Sequence, residues 1–265
     1  MSDAATIMKM LKENEINYVD LRFTDPRGKM QHVTQHIETI DEDSLAEGFM
    51  FDGSSIAGWK AINESDMNLM PDLSRVYVDP FFAQPTLAIF CDVLEPSTGE
   101  NYSRDPRSTA KAALSHMESL GIADTAFFGP EAEFFLFDDV KYDASMNRGY
   151  YEVDSVEGPY NTARDFEEGN LGHRPGVKGG YFPVPPVDSG QDIRSEMLSV
   201  MAEMGVPVEK HHHEVAPSQH ELGMKFGTLL ETADNLQLYK YAVHNVAQAY
   251  GCLLYTSPSP RDLST

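Results

Sequence analysis

Cysteine is scarce in this sequence, and long apolar runs are absent. Cys91 and Cys252 are the only cysteines among 265 residues, which is too few for a disulfide framework and offers no CxxC pair for a zinc or redox site. No run of 18 apolar residues occurs, and the N-terminus lacks a positively charged region followed by an apolar one. These absences predict a cytoplasmic protein with no membrane partner.

Positive charge is also in short supply. The chain has 20 Lys and Arg against 42 Asp and Glu, a formal net charge of -22 at pH 7. Such a surface repels phosphate backbones, so nucleic acid is an unfavourable partner. The 41% of apolar residues, with 14 Phe and 12 Tyr, indicates a globular chain. The acidity fits either a solvated surface or cation binding, and cation binding has to be argued from particular carboxylates.

The first hundred residues predict a small α+β domain, which we place at residues 1–102. Asp3 can cap a short helix, and "NYVDLRFT" alternates as a strand with "MQHVTQHI" as its hairpin partner. "PTLAIFCDVL" is typical of a buried strand, whereas the segment from Phe51 to Asp79 has no clear periodicity. We expect that segment to be mainly loop.

A second domain is predicted over residues 103–251, again with mixed α+β character. Asp105 and Pro106 are suited to begin a helix that ends at Gly121. An amphipathic helix is expected from Ser189 to Met204, and another from Thr228 to Tyr250. Periodicity is then lost in "CLLYTSPSPRDLST". Residues 252–265 are predicted to be a disordered tail or sequence foreign to the protein, and we favour the second reading.

Two glutamates stand in the aromatic segment "TAFFGPEAEFFLFDD", residues 125–139. In a strand, Glu131 and Glu133 would share one face because side chains alternate with period two. Two buried carboxylates require compensation by cations, arginines or metals. The alternative is an edge strand with one wet face.

The carboxylates of the segment "VEKHHHEVAPSQHELGMKF" also require compensation. If it forms a hairpin that turns at Pro217 and Ser218, Glu214 lies directly opposite Glu221. Like charges so placed are destabilising, and a cation between them reverses the effect. In such a strand His212 shares a face with Glu214, whereas His211 and His213 point the other way with Glu209, so the three consecutive histidines cannot all bind one metal.

The excess of carboxylates suits Mg²⁺ or Mn²⁺ better than zinc, although a zinc site remains an alternative. Each histidine taken alone is expected to be a structural residue or a nucleotide contact rather than a ligand. Magnesium bridging carboxylates to phosphates points to nucleotide chemistry. The sequence contains neither GxxxxGK[ST] nor a GxGxxG after a strand, so a different phosphate-handling fold is required.

Four segments together resemble bacterial type I glutamine synthetases. They are "FDGSSIAGWKAINESDMNLMPD", "GPEAEFFLFD", "KGGYFPVPPVDSGQDIRSEM" and "HHHEVAPSQHEL", in the order and approximate spacing of that family. The resemblance extends from about residue 5 to Gly251. It implies an N-terminal β-grasp domain, a catalytic domain on a curved antiparallel sheet, and a homododecamer of two hexameric rings. The implied reaction is ATP-dependent amidation of L-glutamate by ammonia through a γ-glutamyl phosphate.

The resemblance also implies roles for particular residues. Glu133, Glu214 and Glu221 are similar to the ligands of a first Mg²⁺ or Mn²⁺, and Glu131 is similar to a ligand of a second ion that serves ATP. Glu209 and Phe226 resemble nucleotide contacts. Asp52 matches a residue that takes a proton from ammonium, with Ser55 and Tyr181 near that pocket. The plain reading of "FDGSS" is a turn in which Asp52 caps the backbone.

The sequence departs from the family pattern after Gly251. A glycine-rich loop, a histidine, a glutamate and several arginines of the family have no counterpart here, so we expect the 265-residue chain alone to be inactive. Two alternatives stay open. One is a related ligase that joins glutamate to a polyamine or other amine, and the other is a non-catalytic protein that binds cations or modulates assembly.

Overall fold

The computed structural model describes residues 3–158 and 173–256. Its helices are α1 (Ala4–Glu13), α2 (Glu42–Glu47), α3 (Pro106–Ser119), α4 (Gln191–Glu203) and α5 (Leu229–Ala249). Its strands are β1 (Tyr18–Thr24), β2 (Met30–His36), β3 (Phe49–Asp52), β4 (Asp66–Val78), β5 (Thr86–Leu94), β6 (Phe127–Phe128), β7 (Glu133–Phe137), β8 (Asp139–Ser145), β9 (Arg148–Asp154), β10 (Val208–His213), β11 (Gln219–Met224), β12 (Gly227–Thr228) and β13 (Leu253–Thr256). Among the described residues, no helix is both long and apolar enough to cross a membrane.

The chain divides into two compact units, Met1–Phe128 with Gly227–Asp234 and Gly129–Phe226 with Asn235–Thr265. The first of these units includes α3. The domain boundary near residue 102 stays a prediction. The mixture of helices and sheets confirms the α+β class expected from the sequence.

The first unit is built on a five-stranded sheet in the order β2-β1-β5-β4-β3. β1 and β5 pair in parallel, and their neighbours pair antiparallel. Asp3 caps α1, as expected, by accepting from the backbone N–H of Thr6. The sheet and the helices enclose an apolar cluster. It includes Ile7, Leu21, Leu45, Trp59, Leu69, Leu87 and Ile89.

The prediction of loop from Phe51 to Asp79 is wrong. β3 ends within that segment, and β4 spans 13 of its residues, from Asp66 to Val78. Met67, Leu69 and Pro71 are buried at alternate positions of β4, which is the period of a strand. The pattern was hidden because Asn and Asp, which are poor strand formers, occupy several intervening positions and Pro occupies one of the buried ones.

Helix α3 is joined to the sheet of the first unit by a buried arginine. Asp105 caps the helix and Pro106 stands in its first turn, as predicted. Arg107, only 4% exposed, donates to carboxylates of Asp72, Asp92 and Asp234 at 2.7 to 3.2 Å. A buried guanidinium with carboxylate partners avoids the cost of an unpaired buried charge.

The second unit contains a four-stranded sheet in the order β10-β11-β7-β13. Helix α4 packs on β10 with Ile193, Met197 and Met201 buried. The predicted helices from Ser189 and Thr228 are confirmed as α4 and α5, each within two residues of its expected bounds. β8 and β9 form a separate hairpin.

The single strand predicted over residues 125–139 is wrong in its length. Gly129 and Pro130 interrupt it, so β6 ends at Phe128 and β7 begins at Glu133. Proline cannot donate a ladder hydrogen bond, and this favours the break. β7 lies between β11 and β13, so it is not the edge strand that the alternative reading required.

The prediction of a disordered tail is wrong for Leu253–Thr256. These four residues form β13 and pair antiparallel with β7, with Leu253 opposite Phe137 and Thr256 opposite Phe134. The sequence "LLYT" is short but apolar and aromatic, which suits a strand. Residues 257–265 lie outside the described part of the chain, so for them the prediction is not tested.

Candidate metal site

The hairpin of β10 and β11 has a different register from the one predicted. His212, not Glu214, lies opposite Glu221, and His213 lies opposite His220. The predicted direct pairing of Glu214 with Glu221 is therefore wrong. The observed pairing is shifted by two residues from the predicted one, and because this shift is even, each side chain keeps its predicted face of the sheet.

Proline explains the altered register. A two-residue hairpin loop needs positive φ at its first central position, which the ring of Pro217 forbids. The chain instead makes a turn from Ala216 to Gln219, closed by the N–H of Gln219 bonding the carbonyl of Ala216 at 3.2 Å. Pro217 takes the first central position, and Ser218 takes the second with φ +65°, as in a type II turn.

Three potential metal ligands meet at this end of the hairpin. One ligand atom from each of His212, Glu214 and Glu221 lies within 4.8 Å of the others. His212 Nδ1 is 3.3 Å from Glu214 Oε1, and its Nε2 is 3.6 Å from Glu221 Oε2. Glu214 is buried, and the other two are half-buried. We call these three residues the ligand cluster.

Two further carboxylates lie beside the ligand cluster. Glu133 of β7 stands directly opposite Glu221 of β11, and Glu131 precedes β7 by two residues. Burial raises the pKa of Glu221, His212 lowers it, and the charges of Glu214, Glu131 and Glu133 raise it further. The net upward direction shows that the folded protein disfavours another negative charge at this place.

Gln219 fixes the orientation of Glu133. Its Nε2 donates to Glu133 Oε2 at 2.7 Å, while its Oε1 accepts the backbone N–H of Ala216 at 3.0 Å. The second bond decides which end of the amide faces the carboxylate. The turn of the hairpin thus holds a carboxylate of the neighbouring strand.

The other two consecutive histidines point away from the ligand cluster, as the alternation predicted. His211 contacts α4, where its Nδ1 accepts from Arg194 Nε at 3.2 Å and its Nε2 bonds Ser195 Oγ at 3.0 Å. Burial lowers the pKa of His211, and the charge of Arg194 lowers it further. This histidine is structural.

His213 belongs to a buried network centred on Glu157. The Glu157 carboxylate accepts from His213 Nε2 at 2.8 Å, from the N–H of Ser218 at 2.6 Å and from Ser189 Oγ at 2.6 Å. Burial alone would raise the pKa of Glu157, but its bond to His213 and the other donors hold the pKa at about 2. The network anchors the turn that carries Gln219.

Tyr181 is brought next to the ligand cluster by a close approach of two backbones. A Cβ on Gly180 would lie 2.6 Å from the carbonyl oxygen of Glu214, so only glycine fits there. The N–H of Gly180 bonds the carbonyl of Val215 at 3.0 Å. The ring of Tyr181 then meets the imidazole of His212 edge to face, with 5.6 Å between centroids.

Glu209 and Phe226 lie at the opposite end of the hairpin from the turn. Glu209 stands at a bulge between Val208 and Lys210, and Phe226 follows β11 with its ring largely exposed. Phe226 is five residues beyond Glu221, about 16 Å along an extended chain. This separation is compatible with an elongated ligand lying along the hairpin.

Asp52 and Ser55 belong to the first unit. Asp52 is exposed, and its Oδ1 accepts from Ser54 through the N–H at 2.8 Å and the hydroxyl at 2.6 Å. Ser55 Oγ bonds its Oδ2 at 3.3 Å. Bonds from Ser54 lower the pKa of Asp52. Asp52 is therefore an ionised turn cap, which agrees with the plain reading of this segment.

The donor chemistry of the ligand cluster fits a divalent cation. Two carboxylates and an imidazole can coordinate a divalent cation, and the carboxylates suit Mg²⁺ or Mn²⁺. Within the described residues, this is the group of side chains that meets the geometry for holding an ion. A cation there would relieve the repulsion that raises the pKa of Glu221.

Sequence reasoning did not assign His212, Gln219 or Glu157 to the site. The alternation did place His212 on the face of Glu214, so the signal for His212 was available. No comparable signal exists for Gln219 and Glu157, because their roles depend on the turn geometry and on contacts between segments far apart in sequence.

Comparison with known sequences identifies the relatives of this chain. The profile described as glutamine synthetase, β-grasp domain, matches residues 15–96, and that of the glutamine synthetase catalytic domain matches residues 103–262. A glutamine synthetase of Azospirillum brasilense is 67% identical over 260 residues, which cover 98% of this chain and 56% of that protein. One of Rhizobium meliloti (strain 1021) is 62% identical, covering 98% of this chain and 55% of that protein.

A solved structure agrees with the sequence comparison. The cryo-electron microscopy structure of Plasmodium falciparum glutamine synthetase superposes with a TM-score of 0.86 at 27% identity, covering 98% of this chain and 51% of that one. This chain spans about half the length of the proteins it matches. On these findings, together with the β-grasp and catalytic-domain matches, the chain belongs to the glutamine synthetase family.

Proposed function

We propose that the protein catalyses ATP-dependent ligation of ammonia to L-glutamate, giving L-glutamine through a γ-glutamyl phosphate. The observation that carries the proposal is the ligand cluster on the β10–β11 hairpin of a chain that belongs to this family. In the first step the γ-carboxylate of glutamate attacks the terminal phosphorus of ATP, and ADP leaves. In the second step ammonia attacks the acyl phosphate, and inorganic phosphate leaves.

Glu133, Glu214 and Glu221, joined by His212, would hold the first Mg²⁺ or Mn²⁺ ion. Glu131 would contribute to a second ion. When bound, such ions neutralise charge on phosphate and carboxylate oxygens. Gln219 keeps Glu133 oriented toward this space.

Glu209 and Phe226 would contact the nucleotide. The exposed ring of Phe226 offers a flat apolar surface, and the carboxylate of Glu209 can accept hydrogen bonds from hydroxyl groups. Asp52, with Ser55 and Tyr181, would attract ammonium, since an ionised carboxylate favours a cation. The lowered pKa of Asp52 keeps it charged at neutral pH.

A homododecamer of two hexameric rings and a cytoplasmic location are part of the same proposal. The family membership supports the assembly, and the two unpaired cysteines, one buried and one half-buried, support a reducing compartment. Both remain predictions for this protein.

The decisive experiment measures glutamine and phosphate formed by the whole protein from ATP, L-glutamate and ammonia. We expect Glu133→Gln to lower kcat by about 100-fold or more, because removing a metal ligand or its support costs at least the 10- to 100-fold typical of outer-shell changes. Glu203→Gln, which alters an exposed carboxylate at the end of α4, serves as the matched control. Equal activity of the two variants would contradict the assignment.

A substrate panel separates the alternatives. A polyamine or another amine that supports product formation much better than ammonia would favour the related amine ligase. Uptake of Mn²⁺ without product from any amine would favour a non-catalytic, cation-binding protein.

A further inference from the structure

Tyr239 is a buried side chain of α5 that the proposed function does not use. It is 3% exposed, and its ring meets Phe134 of β7 edge to face at 6.4 Å between centroids. Its hydroxyl donates to the backbone carbonyl of Ala132, with 2.6 Å between the oxygens. Ala132 separates Glu131 from Glu133, so the bond holds the segment that carries both carboxylates.

The same hydroxyl bonds the strand that carries Glu221. Burial raises the pKa of Tyr239, a hydrogen bond from the backbone N–H of Leu222 lowers it, and the charges of Glu221 and Glu133 raise it further. The phenol therefore keeps its proton at neutral pH. It donates to Ala132 and lies close to the backbone N–H of Leu222.

The Tyr239 hydroxyl lies at a defined position of the β7–β11 pairing. The N–H of Leu136 bonds the carbonyl of Ser218 at 2.9 Å, and in an antiparallel ladder hydrogen-bonded pairs recur at every second position. Counting along β7 and β11, the next such positions are Phe134 with His220 and then Ala132 with Leu222. The paired register ends one residue earlier, at Glu133 opposite Glu221.

The Tyr239 hydroxyl thus lies at the end of the β7–β11 ladder, next to the Glu133–Glu221 pair. Its bond to the carbonyl of Ala132 ties α5 to the residue that falls opposite Leu222 when the register is continued by one position. The phenol of α5 therefore holds the backbone at the point where the carboxylates gather.

We propose that Tyr239 is a positioning residue that fixes the spacing between the Glu131–Glu133 segment and Glu221, and with it the affinity for the divalent cation. The inference rests on the proposed function, because it assumes that these carboxylates bind a cation. Without the hydroxyl, the carbonyl of Ala132 loses a hydrogen-bond partner. The segment that carries Glu131 and Glu133 is then held less firmly relative to Glu221.

The test compares Tyr239→Phe with Tyr250→Phe in the 265-residue chain. Each variant removes one phenol hydroxyl, and that of Tyr250 bonds the exposed Glu196 of α4 at 2.7 Å rather than the segment that carries Glu131 and Glu133. Mn²⁺ affinity is measured by isothermal titration after removal of bound metal with EDTA. We expect Tyr239→Phe to weaken Mn²⁺ binding by about 10- to 100-fold, as loss of supporting interactions around metal ligands does. Tyr250→Phe is expected to bind Mn²⁺ within about twofold of the parent chain, because the bond that it removes lies at the surface.

The outcomes are distinguishable. If Tyr239→Phe melts at a lower temperature but binds Mn²⁺ as tightly as the parent, Tyr239 is only structural and the inference is overturned. If the parent chain and Tyr250→Phe bind no Mn²⁺, the proposed metal site fails, and this inference fails with it.

A measurement on the parent chain covers the case in which Tyr239→Phe does not fold. If cation binding depends on the contacts of the Tyr239 hydroxyl, then by linkage a bound cation must also stabilise those contacts. Mg²⁺ should therefore slow hydrogen exchange of the Leu222 amide more than that of Met197 in α4. Unchanged exchange at Leu222 under saturating Mg²⁺ would overturn the inference.

Discussion

At the scale of single residues, the protein keeps several negative charges closer together than stability alone would favour. Glu221 has Glu133 opposite it and Glu214 in the same ligand cluster. The raised pKa of Glu221, caused first by burial, reflects this crowding. Such arrangements persist where a bound ligand compensates them.

Glu221→Gln should therefore stabilise the metal-free protein and weaken metal binding at once. Cross-strand repulsion contributes roughly 0.2–1 kcal/mol per pair, so we expect the free energy of unfolding at pH 8 in EDTA to rise by about 1 kcal/mol. Thermal unfolding followed by circular dichroism measures this change. Glu152→Gln, at an exposed position of β9, should produce almost none.

A loss of stability in Glu221→Gln without metal would contradict the picture of crowded carboxylates. A gain of stability with unchanged Mn²⁺ affinity would show that Glu221 is not a ligand of the proposed metal site. Both results are accessible with the same purified material.

The sequence allowed the candidate carboxylates to be chosen but not their pairing. Alternation along a strand placed Glu214 and His212 on one face, and the structure agrees. The register depended on the turn, where the fixed φ of Pro217 requires a longer loop than the one expected. The bonds of Gln219 and Tyr239 could not be anticipated, because they join segments that only the folded chain brings together.

At the scale of elements, helices were easier to predict than strands. The start of α3 was predictable because Asp105 caps the helix and Pro106 stands in its first turn. β4 was missed because its inward positions include Met and Pro rather than the β-branched residues that mark a strand. β13 was missed because four residues are too few to show a period.

Helix α3 owes its place in the first unit to Arg107. Its guanidinium contacts Asp72 on β4, Asp92 on β5 and Asp234 on α5. Burial raises the pKa of Asp234, and Arg107 opposes that rise. The three carboxylates tolerate burial because this cation lies among them.

Arg107→Met should destabilise the first unit by about 3–5 kcal/mol, because removing one partner leaves buried charges uncompensated. Lys111→Met is the matched control one turn later. Lys111 also contacts Asp92, but its side chain is 35% exposed, so we expect a loss of less than about 1 kcal/mol. Urea unfolding followed by the fluorescence of Trp59 reports on this unit, since that buried residue is the only tryptophan. Similar losses in the two variants would contradict the role assigned to Arg107.

At the scale of the whole molecule, a formal charge of -22 makes two kinds of cation effect possible. Any salt screens repulsion between surface carboxylates, with a range of about 8 Å at physiological ionic strength. A cation bound at the ligand cluster acts differently, because it binds the folded state and not the unfolded chain. The two effects are separable by comparing Mg²⁺ or Mn²⁺ with Na⁺ at equal ionic strength.

We expect Mn²⁺ at 100 times its dissociation constant to stabilise the folded chain by about 2.7 kcal/mol beyond the effect of matched NaCl. For a protein of this size, that corresponds to an increase of roughly 5–10 °C in Tm. The double variant Glu214→Gln/Glu221→Gln should lose this excess while it keeps the response to NaCl, because most of the 42 acidic residues remain. Differential scanning calorimetry with the two salts measures both quantities. If the double variant responds to Mn²⁺ as the parent does, the cation acts on the acidic surface as a whole, and the ligand cluster is not its binding site.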